Sequence, residues 1–425
     1  MILTVKKSRI KGKVEAPSSK SLTHRALLAG IQAEGKTRIL NPLDCDDTQA
    51  SVEAATALGA KINRNAGSFV VEKCIGKIEK EKLINCRDSG TTMRLFLPLC
   101  SQSNKGIFLT GNKSLLSRPI GDLLSAVNSL GGKCTSLQNN NLAPVLIKPS
   151  HLKGGNISIK GNISSQFISG LLFACPNAEN NTTINVSTAA ESIPYIELTL
   201  KVLREFGIKV DVINDFRRFE IPAKQKFKAK NFTVEGDFSS AAFLLSAAVL
   251  KGKVKISNLN KNSLQADKKI VEILKDMNAK IKFKNNAVKA EESELNAVDI
   301  DAKHCPDLVP ILAVLASQAK GKTKIFNAER LKIKESNRLK AISSELKKMN
   351  ANIRNTKNGL VIKGPTKLKG TIINPYNDHR IAMGSAIAGM LTKKTLIKNS
   401  ECISKSFPDF VKAIKNLGVD AVETA

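Results

Sequence analysis

The chain has no tryptophan, two tyrosines and four histidines among 425 residues, and its aromatic fraction is only 4%. That scarcity argues against a protein that holds single-stranded nucleic acid by stacking bases on rings. Long apolar runs are also missing. The stretches around Ala241 to Leu250 and Ile381 to Leu391 are broken by Ser or Gly and fall short of the roughly 20 residues a membrane span requires. The opening segment, MILTVKKSRIKGKVE, alternates apolar and basic residues and lacks the apolar block of a secretory signal, so it reads as a strand. The eight cysteines (Cys45, Cys74, Cys86, Cys100, Cys134, Cys175, Cys305, Cys402) form no CxxC, and the histidines form no HExxH. Reduced thiols, no metal and a reducing, cytoplasmic compartment are the expectation.

Positive charge is abundant. Lys and Arg number 67 against 37 Asp and Glu, a formal net charge of +30. Such a balance suits anionic partners of any size. The lysines are spread without a nucleic-acid-binding pattern, so small anionic substrates are expected in place of nucleic acid or a membrane. The length and the ordinary 42% hydrophobic fraction predict a globular protein of two domains.

Self-similarity dominates the chain. Gly35 to Asn41 (GKTRILN), Gly252 to Asn258 (GKVKISN) and Gly321 to Asn327 (GKTKIFN) nearly align, with looser partners at Gly106 to Gly111, Asn181 to Val186 and Lys394 to Asn399. These strands recur about every seventy residues, far above the period of a helical solenoid. Each is followed by a helical pattern with a shared ending: Leu58-Gly-Ala, Leu130-Gly-Gly, Phe206-Gly-Ile, Met277-Asn-Ala, Met349-Asn-Ala and Leu417-Gly-Val. Gly or Asn there suits the left-handed residue that closes a helix. Before each strand lies a segment apolar nearly all round, such as Leu22 to Gly30, Thr92 to Leu99, Phe167 to Ala174 and Leu308 to Ala316. A helix without a polar face is a buried helix. The expected fold is therefore α/β (α+β): six βαβαββ units, three to a lobe, each lobe packing its sheets around its buried helices.

Polar residues gather at one phase of this repeat, the starts of the buried helices: Lys20 to Arg25, Asp88 to Arg94, Ser164 to Gln166, Asp237 to Ser240, Cys305 to Asp307 and Asn377 to Arg380. Capping accounts for Ser, Asp and Asn. It does not account for Lys20, Arg25 and Arg380, because cations at a helix N-terminus meet the positive end of the dipole. A cation there implies an anion facing it. Starts of the amphipathic helices add Arg118, Ser192, Tyr195, Lys334, Glu335, Arg338 and Lys405. Asp307 and Glu335 read either as caps and salt-bridge partners or as proton carriers. Asp44, Asp46, Asp47 and Asp409 read as caps. Gly30 to Thr37 fits G-x4-GK[ST] formally, but a phosphate loop follows a strand and opens a helix, and here the order is reversed.

Nine segments in order along the whole chain resemble the 5-enolpyruvylshikimate-3-phosphate synthase family: PSSKSLTHR (17–25), SGTTMR (89–94), RPIG (118–121), SSQF (164–167), EGDFSS (235–240), Pro306-Asp307, KESNR (334–338), YNDHR (376–380) and KSFPD (405–409). The resemblance implies a two-lobed inside-out α/β barrel, with residues 1–17 and 237–425 in one lobe, residues 18–236 in the other, and crossings near 16–18 and 234–236. It implies enolpyruvyl transfer from phosphoenolpyruvate to the 5-hydroxyl of shikimate 3-phosphate, by a monomer needing no metal or cofactor. Carried over residue by residue, shikimate 3-phosphate would be held by Lys20, Ser21, Arg25, Ser164, Ser165, Gln166, Ser192, Tyr195, Asp307 and Lys334. Phosphoenolpyruvate would be held by Lys20, Gly90, Thr91, Arg118, Gln166, Arg338, Arg380 and Lys405. Asp307, Glu335 and Lys20 would carry the proton transfers. The sister transferases that act on UDP-N-acetylglucosamine rely on a loop cysteine, and Gly111 to Ser117 contains none. Asp88 and Arg330 depart from the family pattern, where Asn is commoner, and Arg94 reads as structural.

Overall fold

The computed structural model describes residues 1–72 and 78–425. The chain divides into two compact units, one of Met1–Pro17 with Glu235–Ala425 and the other of Ser18–Val234. Each has its own apolar core.

Three repeats build each unit. In a complete repeat a first strand leads through a buried helix to a parallel second strand, and an amphipathic helix then leads to an antiparallel pair that closes a four-stranded sheet. The buried helices are α1 (Lys20–Gly30), α3 (Gly90–Cys100), α5 (Ser165–Ala174), α7 (Phe238–Lys251), α9 (Val309–Gln318) and α11 (His379–Gly389). The amphipathic ones are α2 (Asp46–Ala57), α4 (Gly121–Ser129), α6 (Ile193–Glu205), α8 (Ile270–Asp276), α10 (Arg338–Lys348) and α12 (Phe410–Asn416).

Sequence-distant strands complete three of the sheets. Asn231–Thr233 pairs in parallel with Lys36–Leu40 and supplies the first strand of the first repeat. The N-terminal segment is two strands where its alternation suggested one. Ile10–Glu15 opens the sheet of the fourth repeat, beside Gly252–Ser257, while Ile2–Lys6 enters the sheet of the sixth, between Lys394–Lys398 and Ala421–Thr424.

The shared helix endings are one motif. Gly59, Gly131, Gly207, Asn278, Asn350 and Gly418 all have φ between +67° and +105°. In every case the following N–H bonds five residues back, as in Ala60 to Ala55 and Ala351 to Leu346. This is the Schellman closure, which satisfies carbonyls the helix end leaves open. The final Asn of the aligned strands is also left-handed, at Asn41, Asn258, Asn327 and Asn399, a conformation Asn tolerates better than most residues. The segment resembling a phosphate loop runs helix then strand, from Gly30 to Lys36, and cannot be one.

Gly207 has φ +83°, with open-chain Lys228 atoms its nearest neighbours. Gly207→Ala is expected to destabilise the protein by about 1 kcal/mol, the left-handed penalty for a β-carbon, whereas Asn350→Gly is expected to be neutral or slightly stabilising. Urea unfolding of the two variants checks this.

Candidate active site

In the unit Ser18–Val234 the functional groups cluster where α1, α3 and α5 begin. Ser19, Ser89 and Ser164 cap these helices, their hydroxyls accepting from the N–H groups of Leu22, Thr92 and Gln166. Lys20 follows its cap directly, against the dipole, and Asp47 of α2 compensates it at 2.6 Å. Beneath that pair, His24 Nδ1 meets Ser51 Oγ at 2.7 Å, and Ser51 Oγ meets Thr92 Oγ1 at 2.8 Å, tying α1, α2 and α3 together. Burial, reinforced by Lys20 and Arg25, holds His24 well below its ordinary pKa, so it is neutral.

The α3 start is a cationic floor. A β-carbon on Gly90 would lie 3.1 Å from an Arg118 nitrogen and 3.5 Å from one of Arg94. Glycine thus leaves room for both guanidinium groups above free helical N–H groups, an arrangement suited to phosphate. Gln166 joins them, donating to Thr91 Oγ1 at 2.8 Å and accepting from Arg94 Nη1 at 2.9 Å. Ser165 is buried in the first turn of α5. Ser192 precedes α6 in the left-handed region, φ +54°, a strained setting for a non-glycine residue, and Tyr195 lies one turn on. Arg25 spends part of its hydrogen-bonding fork within its own unit. It is 2% exposed and donates to Thr199 Oγ1 and to the carbonyls of Ser21 and Tyr195, anchoring α6 on α1. Burial lowers its pKa to about 10.

The other unit gathers its charges around α9, α10 and α11. Arg338 is 1% exposed at the first position of α10. It reaches Glu335 at 2.6 Å, Asp307 at 2.7 Å and Asp378 at 2.8 Å. Burial opposes its charge, but Asp378, Glu335 and Asp307 outweigh that and hold its pKa well above the ordinary value. Asp307 also meets Arg380 at 3.1 Å and Lys334 at 3.7 Å. Burial alone would raise the Asp307 carboxyl, yet Arg380, Lys334 and Arg338 hold it far below the usual carboxylate range. Lys334 is pulled down from its ordinary value, chiefly by burial. Lys405 is 7% exposed and donates to the Asn377 carbonyl at 2.8 Å.

The structure revises several capping assignments. Asp307 is not a cap, because α9 is preceded by the short turn Pro306–Leu308 with no side-chain cap, and the carboxylate serves three cations. Cys45 occupies the cap position of α2, so Asp47 is the Lys20 partner and Asp44 lies outside, on Gln49 and Arg64. Ser89 caps α3, while Asp88 accepts from Ser114 and Asn112 and holds the turn before Arg118. Asp409 stands at the cap position of α12 without a capping hydrogen bond. Arg330 donates to the Lys303 carbonyl. Asp47, read from the sequence as a cap, and Asp378, appearing there only within YNDHR, are the partners of Lys20 and Arg338. Each stands at the first turn or cap of a repeat helix, the phase at which the other site residues were found. Among the described residues the seven cysteines are free and buried, no cluster suited to a metal occurs, and no helix is long and apolar enough to cross a membrane; Cys74 lies outside them.

Asp378 is wholly buried and depends on Arg338 for its counter-charge. Arg338→Met is therefore expected to cost about 3–5 kcal/mol, the penalty for stranding a buried charge. The shift in urea midpoint at pH 7 measures it, and Arg338→Lys is expected to recover only part.

A family model described as EPSP synthase (3-phosphoshikimate 1-carboxyvinyltransferase) matches residues 5–414. A 3-phosphoshikimate 1-carboxyvinyltransferase of Methanocaldococcus jannaschii is 41% identical over 99% of both chains. One from Clostridium novyi is 38% identical over 97% of this chain and 96% of its own. A solved EPSP synthase structure from Acinetobacter baumannii superposes with a TM-score of 0.84 at 25% identity, covering 99% of this chain and 100% of that one. With its six repeats, its cation-bearing helix starts and relatives of this likeness over its whole length, the chain belongs to the EPSP synthase family.

Proposed function

We propose that the protein transfers the enolpyruvyl group of phosphoenolpyruvate to the 5-hydroxyl of shikimate 3-phosphate, releasing phosphate, as a step toward aromatic amino acids. The observation that carries this reading is the gathering of cations at helix N-termini in both units, which suits two substrates that bring two phosphates and two carboxylates. Shikimate 3-phosphate is assigned to Lys20, Ser21, Arg25, Ser164, Ser165, Gln166, Ser192 and Tyr195, with Asp307 and Lys334. Phosphoenolpyruvate is assigned to Lys20, Gly90, Thr91, Arg118, Gln166, Arg338, Arg380 and Lys405. Arg25 retains two N–H groups beyond the three bonds it makes within its unit.

Addition comes first. The 5-hydroxyl oxygen attacks the central carbon of phosphoenolpyruvate and its proton passes to the Asp307 carboxylate, while the methylene carbon gains a proton from Glu335, assisted by Lys20. Elimination follows. The methyl group returns a proton, the bond from the central carbon to the phosphate oxygen breaks, and phosphate leaves with the proton first taken from the hydroxyl. In the resting protein Asp307 is too well compensated to be a strong base. Anions arriving on Arg338, Arg380 and Lys334 compete for those cations, and the carboxyl regains affinity for a proton when substrate is present.

The partners in this reading are small molecules, the compartment is the cytoplasm and the working form is a monomer. Nucleic acid, metal and cofactor have no part in the chemistry.

Glu335→Gln is expected to lower turnover about 100-fold or more, the usual contribution of a positioned acid or base. Phosphate release with both substrates saturating measures it, and near-normal turnover would remove Glu335 from the mechanism.

A further inference from the structure

The fourth repeat holds a carboxyl group that this reaction does not use. Asp267 lies in the turn Ala266–Lys269 leading into α8 and is 1% exposed. One carboxyl oxygen meets the Ser239 hydroxyl, in the first turn of α7, at 2.5 Å, and the other is buried with no hydrogen-bond partner. Asp47 occupies the corresponding place in the first repeat, at the start of the amphipathic helix and facing the first turn of the buried one. Asp47 meets an ammonium at 2.6 Å, whereas Asp267 meets only a hydroxyl. A carboxylate withdrawn from water, with no cation bonded to it and one oxygen unsatisfied, is strongly disfavoured, and the neutral acid is the form such a setting holds.

The charged groups around it fit that state. Asp237 caps α7 on one side and Asp307 lies in the turn before α9, both negative, with Arg380 of α11 the positive neighbour. Burial first, then Asp307, push the Asp267 carboxyl up to about 7, against Arg380 and the Ser239 hydrogen bond. Cys305, also near, has its thiol pushed up to about 12, mainly by burial, and stays neutral. On its own turn Lys268 is drawn away to the Lys261 carbonyl and Lys269 is exposed.

We propose that Asp267 is a positioning residue for Asp307 and Arg380 that works as a neutral acid: its ionisation puts a second negative charge beside that pair, draws on Arg380 and weakens the hold on phosphoenolpyruvate. This rests on the assignment of Arg380 to phosphoenolpyruvate and of Asp307 to the proton. An amide, which has the same shape and cannot ionise, should keep the neutral form at every pH.

The test compares KM for phosphoenolpyruvate in the wild type and Asp267→Asn between about pH 6.5 and 8.5, by phosphate release with shikimate 3-phosphate saturating. One ionisation gives up to a ten-fold rise per pH unit above its pKa, so a wild-type KM rising by about ten-fold more than that of the variant is expected. An equal rise in both overturns the proposal. Asp267→Ser, also unable to ionise, replaces the amide if the latter does not fold. Stability supplies a second readout. Asp267 has a folded pKa above its unfolded one, so its stabilising contribution is complete below the unfolded value of about 4 and is lost as pH rises through about 7. The urea midpoint of the variant should therefore gain on the wild type between those values, and a constant difference contradicts the proposal. Asp307→Asn separates the two claims: if it stays active, the reading of Asp307 fails, whatever Asp267 does.

Discussion

Arg338 is the side chain on which the charge arrangement of its unit depends. It starts a helix, where the dipole repels it, and it is almost wholly out of water, where its charge is least welcome. Three carboxylates from three segments make that placement stable, and in doing so they fix the spacing of Asp307, Glu335 and Asp378 around one planar fork. Lys20 faces the same problem in the other unit and is met there by Asp47. In both, a cation set against a helix start is balanced by carboxylates of the protein.

That balance would set the behaviour of the proposed proton carriers. Asp307 shares cations with the assigned substrate site, so its proton affinity is low while Arg338, Arg380 and Lys334 face it and climbs when ligand anions engage them. In the reaction proposed above, substrate binding and base strength are coupled through the same three side chains. Asp267 adds a contrast within the same repeat geometry. With a hydroxyl where Asp47 has an ammonium, its carboxyl is pushed up to about 7, chiefly by burial.

Much of the fold was legible because the repeat writes its own punctuation. Left-handed Gly or Asn at six helix ends, and buried helices without a polar face, are local signals that no tertiary contact overrides. The charge clusters were legible where residue type conflicted with position, as with Lys20, Arg338 and Arg380. Pairings were not. Lys20 with Asp47, Arg338 with Asp378 and Ser239 with Asp267 span 27, 40 and 28 positions, and an Asp near a helix start reads as a cap until its partner is seen. Asp47 and Asp267 stand at the starts of α2 and α8, the two amphipathic helices without conspicuous cations or polar motifs, so the repeat places them but their residue type does not single them out. The division of the N-terminus between two sheets had only a weak local signal, a change of phase from Leu3 and Val5 on odd positions to Ile10 and Val14 on even ones.

The central claim is that these cations serve one reaction between two anionic substrates. Phosphorus NMR of the protein with phosphoenolpyruvate tests it directly. Inorganic phosphate and a new enolpyruvyl product should appear in equal amounts when shikimate 3-phosphate is added, and neither should appear without it. Phosphate release in its absence, or transfer to UDP-N-acetylglucosamine in its place, would contradict the account.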